Sequence, residues 1–428
     1  MNDLELFLQD KPGCGLTMKD ICLIILLFAD DMVILGNSVE DLQTRLDLLY
    51  EYCTKWGLEV NTDKTKIVVF RNKGPIKRNE TWKYGEKSLD IVDNFNYLGV
   101  VFNYTGSFVL NSQYIHGKAI KALNVLINNM IKYDVQPKIA LQLFDAFVGS
   151  TLNYACPVWG FNKYNDLERI HLRFCKFVLG VRQNACNAAV YGELGRYPLY
   201  IHRYIQILKY WFKVKDSSNI ILKTMYQVSK NRCEKGYKSW ALSVKQILDE
   251  HGFSHVWISP WLYNENTFIP TFKQKVYDCF LQKWRSDINN SSILNIVYSH
   301  LHEQFIMSKY LTVLKSKTYR SYLARIRISA HHLRVQTGRY GQNRIPRNER
   351  SCLLCGSSEV EDEFHFILIC PRFADLRRKY IDLYYSKKPS MYKLITLLNQ
   401  DNKQLLLNLC NYLKFAQTRR NNFLGTLT

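Results

Sequence analysis

Two adjacent carboxylates, Asp30 and Asp31, interrupt a nearly all-apolar stretch, residues 21–28 before them and 32–35 after (ICLIILLFADDMVILG). Like charges side by side in apolar surroundings are unfavourable unless a cation sits beside them. A hard divalent ion such as Mg²⁺ takes carboxylate oxygens and works where phosphates are handled, so the pair reads as a metal-binding candidate. The plainer alternative is a solvated Asp-Asp hairpin tip. A second constellation stands far downstream: Cys352, Cys355, His365 and Cys370, in the pattern C-x₂-C-x₉-H-x₄-C. Three thiolates and an imidazole in two close pairs match a closed, tetrahedral zinc site. Four protein ligands leave no open position, so the expected role is structural. Leu353, Leu354, Phe364 and Phe366 are expected to form its apolar shell. The pairs His251/His255 and His300/His302 have no cysteine or carboxylate at ligand spacing and read as structural or surface residues.

The elements that must position these groups follow from local pattern. Two apolar runs bounded by turn residues suggest strands buried on both faces, a hairpin at the centre of a domain. Ser38 is placed to cap a helix, with Asp41 in its first turn and Leu42, Leu46, Leu49 and Cys53 on one face. Gly57 should end it. Residues 58–60 and 66–70 look like strands joined by the polar turn 61–64, and 96–103 (NYLGVVFN) like another, Gly99 permitting close backbone approach. The expected fold class is α+β, its first domain spanning 1–110.

From 112 to 228 the pattern is helical, with a stripe of Ile120, Leu123, Leu126, Ile127 and Ile131 and a short irregular break at 154–159. A linker is expected near 229–236 and a loop near 257–270. Arg320, Arg327 and Arg334 lie seven apart beside Leu323, Ile326, Ala330 and Leu333. Such a helix could pack on one side and meet phosphate on the other; scattered surface arginines are the alternative. Arg339, Arg344, Arg347 and Arg350 crowd the approach to the Cys/His cluster.

The bulk numbers favour a polyanionic partner: 58 basic against 37 acidic residues give a formal charge of +21. Aromatic content of 14%, with 28 Tyr and 22 Phe, tilts that towards nucleic acid, because aromatic faces stack on unpaired bases. No apolar run is long enough to span a bilayer, and no charged-then-apolar leader pattern opens the chain. Twelve scattered cysteines form no disulfide framework. The expectation is a protein of the nucleus or cytoplasm, neither secreted nor membrane-embedded.

In order, FADD, NTDKTK and YLGVVF, then a helical region and a Cys-Cys-His-Cys knuckle, make the chain resemble the reverse transcriptase of non-LTR (LINE-type) retrotransposons. Residues 152–199 and 326–355 look like the same family. The resemblance implies a partial palm at 1–110, a helical thumb at 111–235, a helical linker region at 236–345, a zinc knuckle at 346–373 and carboxy-terminal helices at 374–428. It implies that Asp30 and Asp31 hold catalytic Mg²⁺ in a two-metal site, with Phe28 in the aromatic place and Ala29 keeping the tip small. Lys64 would neutralise the leaving pyrophosphate, and Tyr97, Leu98 and Gly99 would form the primer grip. Partners would be an RNA template and a DNA primer or target; oligomeric state is left open.

The pattern also departs from the family. A palm needs a further metal-binding aspartate on the strand paired with the hairpin, and the acids before it (Asp3, Glu5, Asp10, Asp20) have no apolar strand of their own. The expectation is a carboxy-terminal portion of an RNA-directed DNA polymerase that does not polymerise alone and leaves apolar palm surface exposed. The alternatives are a non-catalytic nucleic-acid-binding protein using thumb and knuckle, and an inert element remnant.

Overall fold

A computed structural model describes residues 3–9, 16–18, 21–72, 74–77, 79–302, 304–340 and 344–425. The chain forms two units, each assembled from three stretches. The first takes 1–115, 155–162 and 203–272; the second takes 116–154, 163–202 and 273–428. Most of the chain is helical, and among the described residues the small two-stranded sheets all lie in its first part.

In the first unit, α1 (Leu4–Gln9) lies on α2 (Val39–Trp56). As expected, the Ser38 side chain accepts from Asp41 N, and Gly57 closes the helix at φ 65°, where a side chain would be strained. Leu46, Leu49, Tyr52 and Cys53 point into a core with Leu4, Leu8, Ile24, Ile67, Trp82, Tyr84 and Leu89, and Leu42 packs at its edge. The acidic hairpin consists of β1 (Ile25–Phe28) and β2 (Asp31–Ile34). Ile25, Met32 and Ile34 pack against that core. Leu26, Leu27 and Phe28 are exposed by 40, 46 and 62%. The strands are therefore not buried on both faces. Among the described residues β1 and β2 pair only with each other, and such a ribbon with one packing partner has one dry face.

Further along, β3 (Lys66–Ile67) pairs in parallel with β4 (Asp90–Ile91). Residues 58–60 form no strand, and only the start of 66–70 does. The segment 96–103 is a hairpin rather than one strand. β5 (Asn94–Tyr97) turns through Leu98 and Gly99 into β6 (Val100–Asn103), with Tyr97 opposite Val100. Positive φ at both turn residues, 48° and 79°, matches the twist of a two-residue hairpin.

The helical stripe forms in α3 (Val109–Met130), where Leu123 and Leu126 are buried; Ile131 falls beyond its end and is 63% exposed. At the expected break Ala155 takes φ 49° and the short helix Cys156–Trp159 follows. The expected linker at 229–236 is largely helix, the last turns of Ile220–Glu234. Its polar residues have partners there: Ser229 Oγ accepts from Ala241 N at 3.0 Å, and Asn231 Oδ1 from Gln227 at 2.9 Å. The expected loop at 257–270 is also mostly helical, with Pro270 inside the helix Glu265–Asn289.

The second unit is organised by α4 (Asn165–Leu179), α5 (Lys317–Arg327) and α6 (Lys403–Gly425). Phe144 and Phe174 stack at 4.9 Å in its core. One side of α5 is covered by α4 and α6, burying Leu323, Ala324 and Ile326. No helix among the described residues is long and apolar enough to cross a membrane.

Candidate metal centres

Asp30 and Asp31 sit at the tip of the β1–β2 hairpin, where Phe28 pairs with Asp31 across Ala29 and Asp30. Ala29 adopts φ 54°, a left-handed conformation that is unfavourable for any residue with a Cβ. Both carboxylates are exposed. They do not belong to any group of three or more ligating side chains among the described residues. Asp3 is occupied elsewhere: its carboxylate accepts the Tyr52 hydroxyl at 2.6 Å, a bond that lowers its pKa. Glu5 lies on α1, and Asp10 and Asp20 lie outside the described residues. Mg²⁺ is commonly held by one or two carboxylates with substrate phosphates and waters, so this pair suits such an ion with substrate present.

Lys64 is exposed in a turn organised by Asn61, whose side chain accepts from Lys64 N at 3.0 Å. No ion pair joins it to Asp30 or Asp31 among the described residues. Tyr97, Leu98 and Gly99 come together at the tip of the second hairpin, with Asn96 Nδ2 donating to Tyr114 Oη beside them at 2.9 Å.

The Cys/His cluster closes around one point. Ligand atoms of Cys352, Cys355, His365 and Cys370 all lie within 4.8 Å of one another. Cys355 Sγ is 3.5 Å from His365 Nε2. Zinc bound at about 2.3 Å to sulfur and about 2.0 Å to nitrogen would place tetrahedral neighbours roughly 3.5–3.8 Å apart, so the donor set fits. Cys352 N donates to Glu359 O, folding the first pair into a tight turn, and Gly356 follows at φ 67°. His365 N donates to Asp362 Oδ1 at 3.0 Å, starting the turn that carries the second pair. The interaction with Cys370 holds the Cys352 thiol well below its usual range and pushes Cys370 up, so Cys352 is the cysteine most ready to present the thiolate a metal takes.

The surroundings brace these ligands. Arg377 donates to Ile367 O, Ile369 O and Cys370 O, and Tyr412 Oη donates to Phe366 O at 2.6 Å. Of the expected apolar shell, Leu354 and Phe366 are buried, Phe364 is half-buried, and Leu353 is 48% exposed.

The arginines expected to meet phosphate mostly do something else. Arg320 and Arg327 are buried. Arg320 donates to Leu314 O and Val135 O at 2.9 Å and to Lys315 O. Arg327 Nε bonds both Glu193 oxygens, at 3.1 and 3.2 Å, and its Nη1 donates to Leu398 O at 2.6 Å. The seven-residue spacing puts them on one line, as read, but it is the line of Leu323 and Ala324, the inward face. Arg334 is not on that helix, which ends at Arg327; it begins the short helix Arg334–Thr337 and donates to Ser351 O. Arg350 is buried and bonds Ile345 O and Val335 O, Arg339 bonds Ser292, and Arg347 pairs with Asp362 at 3.1 Å. Arg344 is exposed.

Their buried acidic partners were not legible from spacing. Glu193 is held by Arg327 and His302, Glu361 by Arg420 at 2.6 and 2.7 Å, and Glu363 by His331 at 2.7 Å. The available signal was an acid set among apolar neighbours, as Glu193 is in AVYGEL. His302 is structural, as read, and so is His251, which bonds Ile247 O. All cysteines among the described residues are free.

Residues 5–102, which hold both hairpins and Lys64, match the family described as Reverse transcriptase (RNA-dependent DNA polymerase). A transposon-derived protein of Caenorhabditis elegans is 33% identical over 138 residues, 32% of this chain and 49% of that protein. A 115 kDa protein in a type-1 retrotransposable element of Drosophila melanogaster is 21% identical over 372 residues, 82% of this chain and 31% of that protein. The chain thus spans about half the length of the first relative and less than a third of the second. Through its first hundred residues the chain is thus similar to reverse transcriptases, and its likeness to transposon-encoded proteins supports a reverse-transcriptase-derived protein of the non-LTR retrotransposon kind.

Proposed function

We propose that this chain is part of an RNA-directed DNA polymerase, supplying one side of the metal site and a basic, zinc-braced region that holds nucleic acid. The observation that carries the reading is the pair Asp30 and Asp31, exposed at a strained two-residue tip within the family-matched segment. What a divalent ion would supply there is neutralisation of phosphate charge in an in-line displacement. Asp30 and Asp31 would hold it, Lys64 would sit near the leaving pyrophosphate, and the turn at Tyr97, Leu98 and Gly99 would support the primer end. RNA template and DNA primer or target are the proposed partners, in the nucleus or cytoplasm. The Cys/His cluster would hold zinc as a brace.

With no third carboxylate beside the pair among the described residues, the chain by itself is expected not to extend a DNA primer on an RNA template with Mg²⁺. Extension that disappears on Asp30→Ala would refute the incomplete site. A second reading, nucleic-acid binding without catalysis, is favoured by the charge of +21. It expects binding that weakens steeply with salt and survives substitution of both aspartates.

A further inference from the structure

The face of α5 turned away from the core carries cations that the seven-residue line does not contain. Arg325 is exposed there, and its Nε donates to Gly180 O at 2.9 Å, anchoring the side chain beside the end of α4. Ser321 Oγ donates to the same carbonyl at 3.1 Å. Around them opens a cleft of about 320 Å³, lined also by Lys317, Thr318 and Tyr322. A second, wider cleft of about 490 Å³ is lined by His332, Arg334, Arg420, Asn421 and Leu353. Arg182, exposed in the turn that follows α4, contacts His332 Nδ1 and links the two.

This set of charges is unbalanced. Among the described residues Arg182, Arg325 and His332 have no carboxylate partner. Of the acids around the zinc cluster, Glu361 and Glu363 are buried and committed to Arg420 and His331, and Asp362, beside His365, is paired with Arg347. Partial desolvation in the cleft, then the charges of Arg182 and Arg325, make His332 harder to protonate, so it enters the set as a hydrogen-bonding ring beside two fixed cations. Cations held together without an acid repel one another until an anion arrives. Two open clefts joined by an arginine fit an extended polyanion better than a small phosphate compound, which needs an enclosing pocket. Leu353, between two zinc ligands, adds an apolar contact at the rim.

We propose that this groove, running from α5 across the turn after α4 to the zinc module, grips the phosphodiester backbone of a nucleic acid through Arg182, Arg325 and His332. The proposal rests on the nucleic-acid-handling reading above and gives it a place. It does not involve the hairpin carboxylates.

The test uses the full, zinc-loaded chain and fluorescence anisotropy with a labelled 20-nucleotide single-stranded RNA and a 20-base-pair DNA duplex, titrated across KCl concentrations. The pair Arg182→Ala/Arg325→Ala should weaken binding at least tenfold. Losing two phosphate contacts should also make the slope of log affinity against log salt shallower by about 1.4 for the single strand or about 1.8 for the duplex. The pair Arg182→Lys/Arg325→Lys should restore the slope. A preference between the two probes identifies RNA or DNA as the source of the backbone. Unchanged affinity and slope in the alanine pair, with tight binding by the parent chain, would overturn the groove while leaving the nucleic-acid reading standing. No binding of either probe by the parent chain would overturn both. If the alanine pair fails to retain zinc, the single substitution Arg182→Gln takes its place, with an expected change in slope of about 0.7 on the RNA.

Discussion

Replacing Arg327 by Met separates the two roles this residue could have. In the structure its guanidinium is buried, bonds both oxygens of Glu193 and caps Leu398 O. Burial alone would raise the Glu193 carboxyl. The Arg327 charge and the His302 hydrogen bond overturn that and hold it at about 2, against 4.5 unperturbed. A shift of that size corresponds to about 3 kcal/mol of folding free energy. Removal of one partner from a buried ion pair independently gives about 3–5 kcal/mol. Arg327→Met should therefore destabilise the second unit by about 3–5 kcal/mol at pH 7. Because the folded pKa is depressed, the contribution is fully present above pH 4.5 and is lost as pH falls towards about 2, so parent and variant should converge over that window. The double substitution Glu193→Leu/Arg327→Met should recover most of the loss, since no charge is left unpaired. Urea unfolding followed by ¹⁹F NMR of fluorotryptophan-labelled protein is suitable, because Trp284 is the one tryptophan in the second unit. A loss below about 1 kcal/mol, the size of an exposed ion pair, together with a shallower salt dependence of nucleic-acid binding, would refute the buried role.

Three further outcomes follow from the metal cluster and the hairpin. The purified chain should contain one zinc by elemental analysis. Arg377→Ala, which frees the carbonyls of Ile367, Ile369 and Cys370, should weaken zinc about 10–100-fold against a chromophoric chelator. Unchanged affinity would mean that the ligands need no such brace. Ala29→Gly should relieve the left-handed strain of about 1–2 kcal/mol, less the roughly 0.5–1 kcal/mol of extra chain entropy that glycine loses on folding. A net gain of up to about 1 kcal/mol in urea unfolding of the first unit is expected; a loss would show that the methyl group is needed at the tip.

Local features were legible wherever the determining contacts are close in sequence. Ser38 and Gly57 delimit α2 because capping depends on the neighbouring turn, and the Cys/His spacing closes because each ligand pair spans one short loop. The hairpin was legible as a hairpin, but its burial was not. An apolar run reports that a strand can be covered on both faces, whereas coverage depends on which layers are present, and Phe28 remains open. The same limit applied to 229–236, where polar residues with helical partners read as a linker.

The chain's ancestry, its acidic tip and its thiolate cluster were determined by sequence alone, since short ordered motifs keep their chemistry whatever surrounds them. Which arginines face a partner was decided only by tertiary structure. Seven-residue spacing fixes that Arg320 and Arg327 share a face of α5, but not whether that face is inside. Packing against α4 and α6 buries it onto Glu193 and backbone carbonyls, and leaves Arg325, on the opposite side, in the open groove.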